Sequence, residues 1–243
     1  MRINSILVTE NKNQYFYDYQ YDEINNEYHY YICKYDSSTG KTSIIDEPAD
    51  TSLVFIDEID GNIYFQGSTG IGIYDEATNE KELLYQGYAG NVSYDEQFFY
   101  FRDDEQYLHR IRIGETQAQK ISDLPIRYYC ITDNYIYYKT YETNIIGQYN
   151  DGSNADMESQ KIYRMNKDGS HVQLIWEFQG ESSLLNCDYF FVIGNYIYSN
   201  FLYWNESEKR FIESQNAGDN GGNIYLMRVD IENQELYFFN LTE

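Results

Sequence analysis

The sequence predicts an all-β protein: a β-propeller of five four-stranded antiparallel blades. Three observations predict it. A fifteen-residue window recurs five times without a gap, at 31–45, 70–84, 107–121, 161–175 and 223–237. An aromatic motif precedes each window: QYFY (14–17), NIYF (62–65), QFFY (97–100), YIYY (135–138) and YIYS (196–199). The composition is that of strands, with 29 Tyr and 13 Phe but only Pro48 and Pro125, and no amphipathic helix of ten residues or more is visible.

Each window reads as a hairpin. Its second position is always Ile or Leu (Ile32, Ile71, Leu108, Ile162, Ile224), and its fifth is bulky and apolar (Tyr35, Tyr74, Ile111, Met165, Met227). A turn of Asp, Gly, Ser, Thr and Asn follows, and a short strand ends at Ile45, Leu84, Ile121, Ile175 or Tyr237. These are strands c and d. The aromatic motif is strand b. Before it lie a turn signal and an apolar run (5–9, 52–56, 91–94, 128–132, 189–193), which is strand a. Runs such as LVFI and YIYY are apolar on both parities, as in a sheet covered on both faces. Four-strand units of about 35–60 residues in series are blades. The expected single domain spans 1–243, with blades at 3–47, 51–86, 90–123, 125–178 and 182–241. A closed ring is expected, since an open arc would leave blade faces in water; membership of a larger propeller is the alternative.

The pattern KIYRMNKDGSHVQLI (161–175), preceded by DNYIYYK (133–139), resembles the bacterial propellers related to the low-density-lipoprotein-receptor (YWTD-type) and TolB-like families. Those families repeat a strand like IYY and then a hairpin like KIYRMNxDGS. The resemblance covers nearly all the chain and is closest in blade 4. It implies a binding or scaffold propeller of poorly defined function, and it carries over no catalytic residue.

The formal net charge is −23, spread along the chain. Such a field repels phosphate backbones and anionic lipid, so nucleic-acid partners are not expected. No window reaches the length of a membrane span, and membrane insertion is not expected. Cys33, Cys130 and Cys187 form neither a disulfide framework nor a zinc pattern and read as small buried thiols. With no signal peptide in MRINSILVTENKN the chain as it stands reads as cytoplasmic; if Met1 is an artificial start, a secreted or surface location is equally allowed.

The expected site follows from unequal connections. From the start of b to the start of the window there are 17, 8, 10, 26 and 27 residues in blades 1 to 5. Long b–c connections in blades 4, 5 and 1 would share one face, and long connections on a rigid scaffold carry function. Their content is aromatic and acidic. Tyr19 and Tyr21 (blade 1), Tyr141 and Tyr149 (blade 4), and Tyr203 and Trp204 (blade 5) are the candidate ligand-binding residues. Arg127 and Asp188, near the starts of a strands, join them at the channel mouth. Such a surface suits a protein, a peptide, a small polar ligand or a carbohydrate; the alternatives are that FLYWNES…KRFIES (201–214) is an extended hairpin whose aromatics pack on each other, and that Arg127 makes a structural pair with Asp188 or Asp50.

No catalytic residue, cofactor or metal site is expected. Gly40-Lys41-Thr42 lacks the helix of a phosphate loop and reads as a turn, as does Gly67–Gly72. His29, His109 and His171 fall in different blades, read as outer hairpins, with no metal spacing. Asp151–Glu158 lacks the spacing of a calcium loop. The expectation is a non-catalytic binding propeller. The alternatives are a glycan hydrolase using channel carboxylates among Asp50, Asp57, Asp95, Asp133 and Asp188, and a purely structural domain.

Overall fold

The computed structural model describes residues 6–8, 13–46, 54–67, 69–75, 78, 80–158, 161–178, 185–186, 189–205, 210–213 and 225–240. Among them every regular element is a strand, so no helix is long and apolar enough to cross a membrane. Five four-stranded antiparallel sheets follow one another along the chain, and they are the blades of a β-propeller. By contacts the chain divides into two compact units, residues 1–120 and 121–243.

The first unit holds three blades. Blade 1 is β1 (Ile6–Val8), β2 (Gln14–Asp22), β3 (Glu27–Asp36) and β4 (Lys41–Asp46). Blade 2 is β5 (Val54–Ile59), β6 (Asn62–Gly67), β7 (Gly70–Asp75) and β8 (Glu80–Gln86). Blade 3 is β9 (Gly90–Tyr94), β10 (Phe98–Arg102), β11 (Leu108–Arg112) and β12 (Ala118–Lys120). Each is a meander in chain order.

The two-parity pattern of NIYF has a direct cause. Ile63 and Phe65 point from β6 into a cluster with Leu7, Tyr15 and Ile32 of blade 1. Tyr64, between them, points the other way, into a cluster with Phe99, Phe101 and Ile111 of blade 3. Blade 2 is therefore covered on both faces, which removes any need for alternation. The repeat positions obey the same logic. The second window residue, Ile71, faces blade 3, and the fifth, Tyr74, faces blade 1. Three residues apart on a strand means opposite faces, so blade 2 offers one anchor to each neighbour.

The second unit holds two blades. Blade 4 is β13 (Ile126–Ile131), β14 (Tyr135–Thr140), β17 (Lys161–Asn166) and β18 (Gln173–Glu177). Blade 5 is β20 (Phe191–Ile193), β21 (Tyr196–Ser199), β24 (Tyr225–Asp230) and β25 (Glu235–Asn240). Tyr137, Ile162 and Ile175 of blade 4 pack on Ile197, Met227 and Val229 of blade 5. Two small sheets branch from the connections: β15 (Thr143–Gln148) with β16 (Asn154–Glu158), and β19 (Leu185–Asn186) with β22 (Leu202–Asn205) and β23 (Arg210–Glu213).

In blades 1, 2 and 4 the apolar fifteenth position falls in a β-bulge. The register of c against d slips past Ile45, Leu84 and Ile175, leaving each without a partner. The extra residue turns the side chain inward. Leu84 and Ile175 are buried, while their chain neighbours Leu83 and Leu174 are exposed. The window is not gapless in space, however. Tyr35, Tyr74, Ile111 and Met165 stand opposite Gln14, Ile63, Phe99 and Ile136. In blade 5 the residue opposite Ile197 is Val229, two beyond Met227. The apolar alternation of LMRV tolerates a two-residue offset because the faces are unchanged.

The turns use the predicted chemistry. Asp36, Asp151 and Asp168 each accept from the backbone N–H and hydroxyl of the serine two residues on, at 2.8–2.9 and 2.6 Å. Gly40 donates to Asp36 O at 2.8 Å, so Gly40-Lys41-Thr42 is a hairpin turn. Gly70 (φ +143) closes β6 on β7, and a Cβ there would lie 1.8 Å from Tyr85 O. Cys33 is buried and Cys130 half-buried, both free, and burial raises both thiols. Cys187 lies outside the described residues.

Candidate functional site

The long connection of blade 1 is a rigid extension of the sheet. β2 and β3 run in unbroken register from Gln14↔Tyr35 to Asp22↔Glu27 and close through residues 23–26. Asp22 builds the turn: Oδ1 accepts from Ile24 N–H (2.8 Å) and Asn25 N–H (3.3 Å), and Oδ2 accepts from Asn25 Nδ2 (2.8 Å). Asn26 takes the left-handed conformation (φ 55), which Asn tolerates. The Asn25 side chain, then the Ile24 N–H, hold the Asp22 carboxyl below the usual range. The sequence carried a signal for this hairpin: Tyr alternates with a polar residue through YDYQYD (17–22) and again through EYHY (27–30).

That alternation gives the hairpin two chemically different faces. One is aromatic. Tyr19 and Tyr21 both meet Tyr28, with ring centroids 5.4 and 4.9 Å apart. Tyr21 and Tyr28 remain about half exposed, and Ile24 at the tip is 93% exposed. Tyr21 donates its hydroxyl to Asn26 Oδ1 at 2.5 Å. The other face is polar. Asp22 stands opposite Glu27 and Gln20 opposite His29. His29 Nε2 lies 3.4 Å from Glu27 Oε1 and 3.9 Å from Asp22 Oδ2. These three groups converge, where the sequence reading saw no metal spacing among the histidines. His29 also lies in this b–c hairpin, not in an outer one as expected. A shallow recess of about 380 Å³ opens beside them, lined by Gln20, Tyr21, Asp22, His29 and Tyr31.

The other expected residues lie in the second unit. Arg127 sits at a bulge of β13, between Ile126, which pairs Thr140, and Tyr128, which pairs Lys139. Its guanidinium sits 5.6 Å from the ring of Tyr141, so these two expected residues do come together. Tyr149 is half-buried and shapes its own turn: its N–H donates to Ser153 O and its carbonyl accepts from Gly152 N–H. Tyr203 and Trp204 lie on β22, paired with Ile212 and Phe211 of β23. Asp188, and the channel residue Asp50, lie outside the described residues. The long connections of blades 4 and 5 are strand pairs, as in blade 1, and for blade 5 this is the extended-hairpin alternative.

Two of the carboxylates considered for hydrolysis, Asp95 and Asp57, serve the fold. Asp95 accepts from Gln97 N–H (2.8 Å), Phe98 N–H (2.9 Å) and the Tyr100 hydroxyl (3.1 Å). Asp57 accepts from Glu58 N–H and the Tyr94 hydroxyl, and that bond, ahead of burial, pushes Tyr94 up to about 12. Asp133 is exposed beside a groove of about 460 Å³ between blades 4 and 5, which Tyr135, Arg164 and Asn195 also line.

One repeated device escaped the sequence reading. Arg110, Arg164 and Arg228 lie over Phe98, Tyr135 and Tyr196, at 4.5, 4.4 and 4.8 Å from the ring centroids. Each arginine stands opposite the second residue after the ring it covers: Tyr100, Tyr137 and Tyr198. Two of them also donate to a glutamine of strand d, Arg110 to Gln119 and Arg164 to Gln173. Arginine on an aromatic face is this fold's recurrent way of seating a cation in an acidic chain.

No protein-family model matches the sequence, and no curated protein matches it. Solved structures do resemble it. The N-terminal domain of Nup159 aligns at a TM-score of 0.58 and 8% identity, over 98% of this chain and 61% of that one. A chain of the nidogen/laminin complex aligns at 0.49 and 10% identity, over 98% and 79%. TolB from Acinetobacter baumannii aligns at 0.45 and 14%, over 86% and 53%. The Nup159 likeness supports the propeller fold, and at such identity a likeness reaches no further than fold.

Proposed function

We propose that this chain is a non-catalytic binding propeller whose blade 1 hairpin captures a lysine- or arginine-bearing segment of a protein or peptide. One observation carries the reading. Residues 13–33 hold seven tyrosines and four carboxylates (Asp18, Asp22, Glu23, Glu27) with no Lys or Arg, and the hairpin tip displays Tyr21 and Tyr28 half exposed. A tyrosine face edged by carboxylates attracts a cation twice, through the ring quadrupole and through charge. Rigid aromatics lose little entropy on contact, which suits them as anchors. The aromatic b–c hairpins of blades 4 and 5, with Tyr141, Tyr149, Tyr203 and Trp204, display the same residue types and extend the reading to those connections. The resemblance of 161–175 to YWTD-type and TolB-like repeats agrees with a binding role rather than a catalytic one.

The test is capture of arrayed Lys/Arg peptides by the immobilised chain, set against Asp/Glu peptides of the same length. Tyr21→Ala with Tyr28→Ala leaves the net charge untouched. We expect it to weaken capture at least about tenfold at near-physiological salt, from two anchors of about 1 kcal/mol each. Binding that survives the double substitution and vanishes with salt would reduce the interaction to bulk charge and end the proposal.

A further inference from the structure

We propose that the polar face of the same hairpin is a zinc-class divalent metal site, with His29 Nε2, Asp22 Oδ2 and Glu27 Oε1 as ligands. The inference does not rest on peptide capture, whose anchors Tyr21 and Tyr28 lie on the opposite face, although Asp22 and Glu27 enter both readings. Register does the first part of the work. Asp22 and Glu27 are direct cross-strand partners, and His29 lies one same-face step in from Glu27. The donor atoms of all three lie within 4.8 Å of one another. Two ligands each about 2.0–2.1 Å from a tetrahedral zinc ion stand about 3.4 Å apart. The His29–Glu27 separation is already 3.4 Å, and His29–Asp22 at 3.9 Å closes with a small side-chain rotation.

The donor chemistry selects the ion. One imidazole and two carboxylates suit zinc and its late first-row neighbours, whereas calcium and magnesium seek oxygen alone. The second observation is the recess of about 380 Å³, which opens on His29 and Asp22 and has Gln20 and Tyr31 in its wall. It leaves the ion a coordination position facing solvent. The backbone is held in advance by the Asp22 turn and the unbroken ladder, so ligation reorganises side chains only.

The experiment titrates zinc chloride into the full chain, stripped with chelator, by calorimetry, and follows cobalt(II) by visible absorption. Magnesium and calcium are titrated in parallel. We expect one tight zinc per chain, a tetrahedral cobalt spectrum, and no competition from millimolar magnesium. His29→Gln should weaken zinc at least tenfold and abolish the cobalt band. Glu27→Gln, an exposed position outside the turn, should weaken zinc as well while leaving the metal-free melting temperature unchanged. Zinc binding unaltered in a folded His29→Gln chain, or calcium bound as tightly as zinc, would overturn the proposal and assign the ions to diffuse acidic surface.

Discussion

Gly169 tests the packing of the second unit at a single atom. It sits in the turn between β17 and β18 with φ +88, and its N–H donates to Asn166 O at 2.9 Å. A Cβ at that position would lie 2.2 Å from Ile121 O and 3.0 Å from Ile121 C, both backbone atoms that cannot rotate aside. Gly169→Ala therefore carries two costs: about 1–2 kcal/mol for left-handed backbone with a Cβ, and about 1–3 kcal/mol to move the chain at Ile121. Gly194→Ala is the control in the same unit. Its φ is +57 and no heavy atom lies within 4 Å of the added carbon, so only the first cost applies. The stabilising effect of Ala on the unfolded chain is common to both and cancels. The difference should be about 1–3 kcal/mol. Both tryptophans, Trp176 and Trp204, belong to the second unit, so tryptophan fluorescence reports on it selectively. With a urea slope of about 2 kcal/mol per molar, Gly169→Ala should unfold at a midpoint lower than Gly194→Ala by about 0.5–1.5 M. Equal midpoints would mean that the Ile121 carbonyl does not press on this turn, and the account of blade 4 packing would fail with it.

Phe99 is fully buried against Tyr64, at 5.0 Å between ring centroids, and Phe99→Ala should cost about 3–5 kcal/mol in denaturant unfolding followed by near-ultraviolet circular dichroism; a loss under 1 kcal/mol would contradict the two-faced packing of blade 2. Burial above all holds the Tyr15 and Tyr138 hydroxyls up at about 12 against an ordinary 10.0. Their folded pKa values exceed the unfolded ones, so their contribution to stability is whole below pH 10 and is lost as pH climbs from there through about 12; spectrophotometric titration should show these two ionising with the alkaline unfolding step, and their ionisation in the folded chain near pH 10 would refute the burial argument. Asp36 is held down at about 2, first by the Ser38 hydroxyl and then by the Ser38 N–H. Its contribution is present above the ordinary carboxylate value and lost as pH falls through about 2, and carbon-detected titration of Ser38→Ala should move Asp36 back toward 3.8; an unmoved value would refute the turn chemistry.

The blades were legible because two signals agree. Tyrosine-rich b strands and apolar second and fifth window positions both demand cover on two faces, as Ile71 and Tyr74 show. The fifteenth position was legible as apolar but not as a bulge, since Leu83 and Leu84 are the same residue type and only register separates exposed from buried. Blade 5 misled the window alignment because Met227 and Val229 lie on one face and either satisfies the pattern. Of the expected site residues, Tyr19 and Tyr21 each meet Tyr28, and Arg127 meets Tyr141. The arginine–aromatic repeat was invisible because its members lie on different strands, joined only by pairing. The length of the blade 1 connection was read as loop, although a period of two ran through it. The motif QYFY drew the eye to where strand b begins, and nothing in composition marks where it stops.

The blade 1 hairpin shows why register rather than composition decides what a short segment can do. Tyr19 and Tyr21 both pack on Tyr28 only because Tyr21 stands opposite Tyr28. Asp22, Glu27 and His29 converge only because Asp22 stands opposite Glu27. Slipping β2 by one residue against β3 would set Tyr21 opposite Glu27 and Gln20 opposite Tyr28, and both faces would lose their chemistry together. The turn at 23–26 is what prevents the slip, and Asp22 closes that turn while also belonging to the polar face. Replacing Asp22 therefore disturbs register and polar chemistry at once, whereas Glu27 and His29 touch the polar face and Tyr21 and Tyr28 the aromatic one. The two faces can be dissected separately only from residues that leave the turn intact.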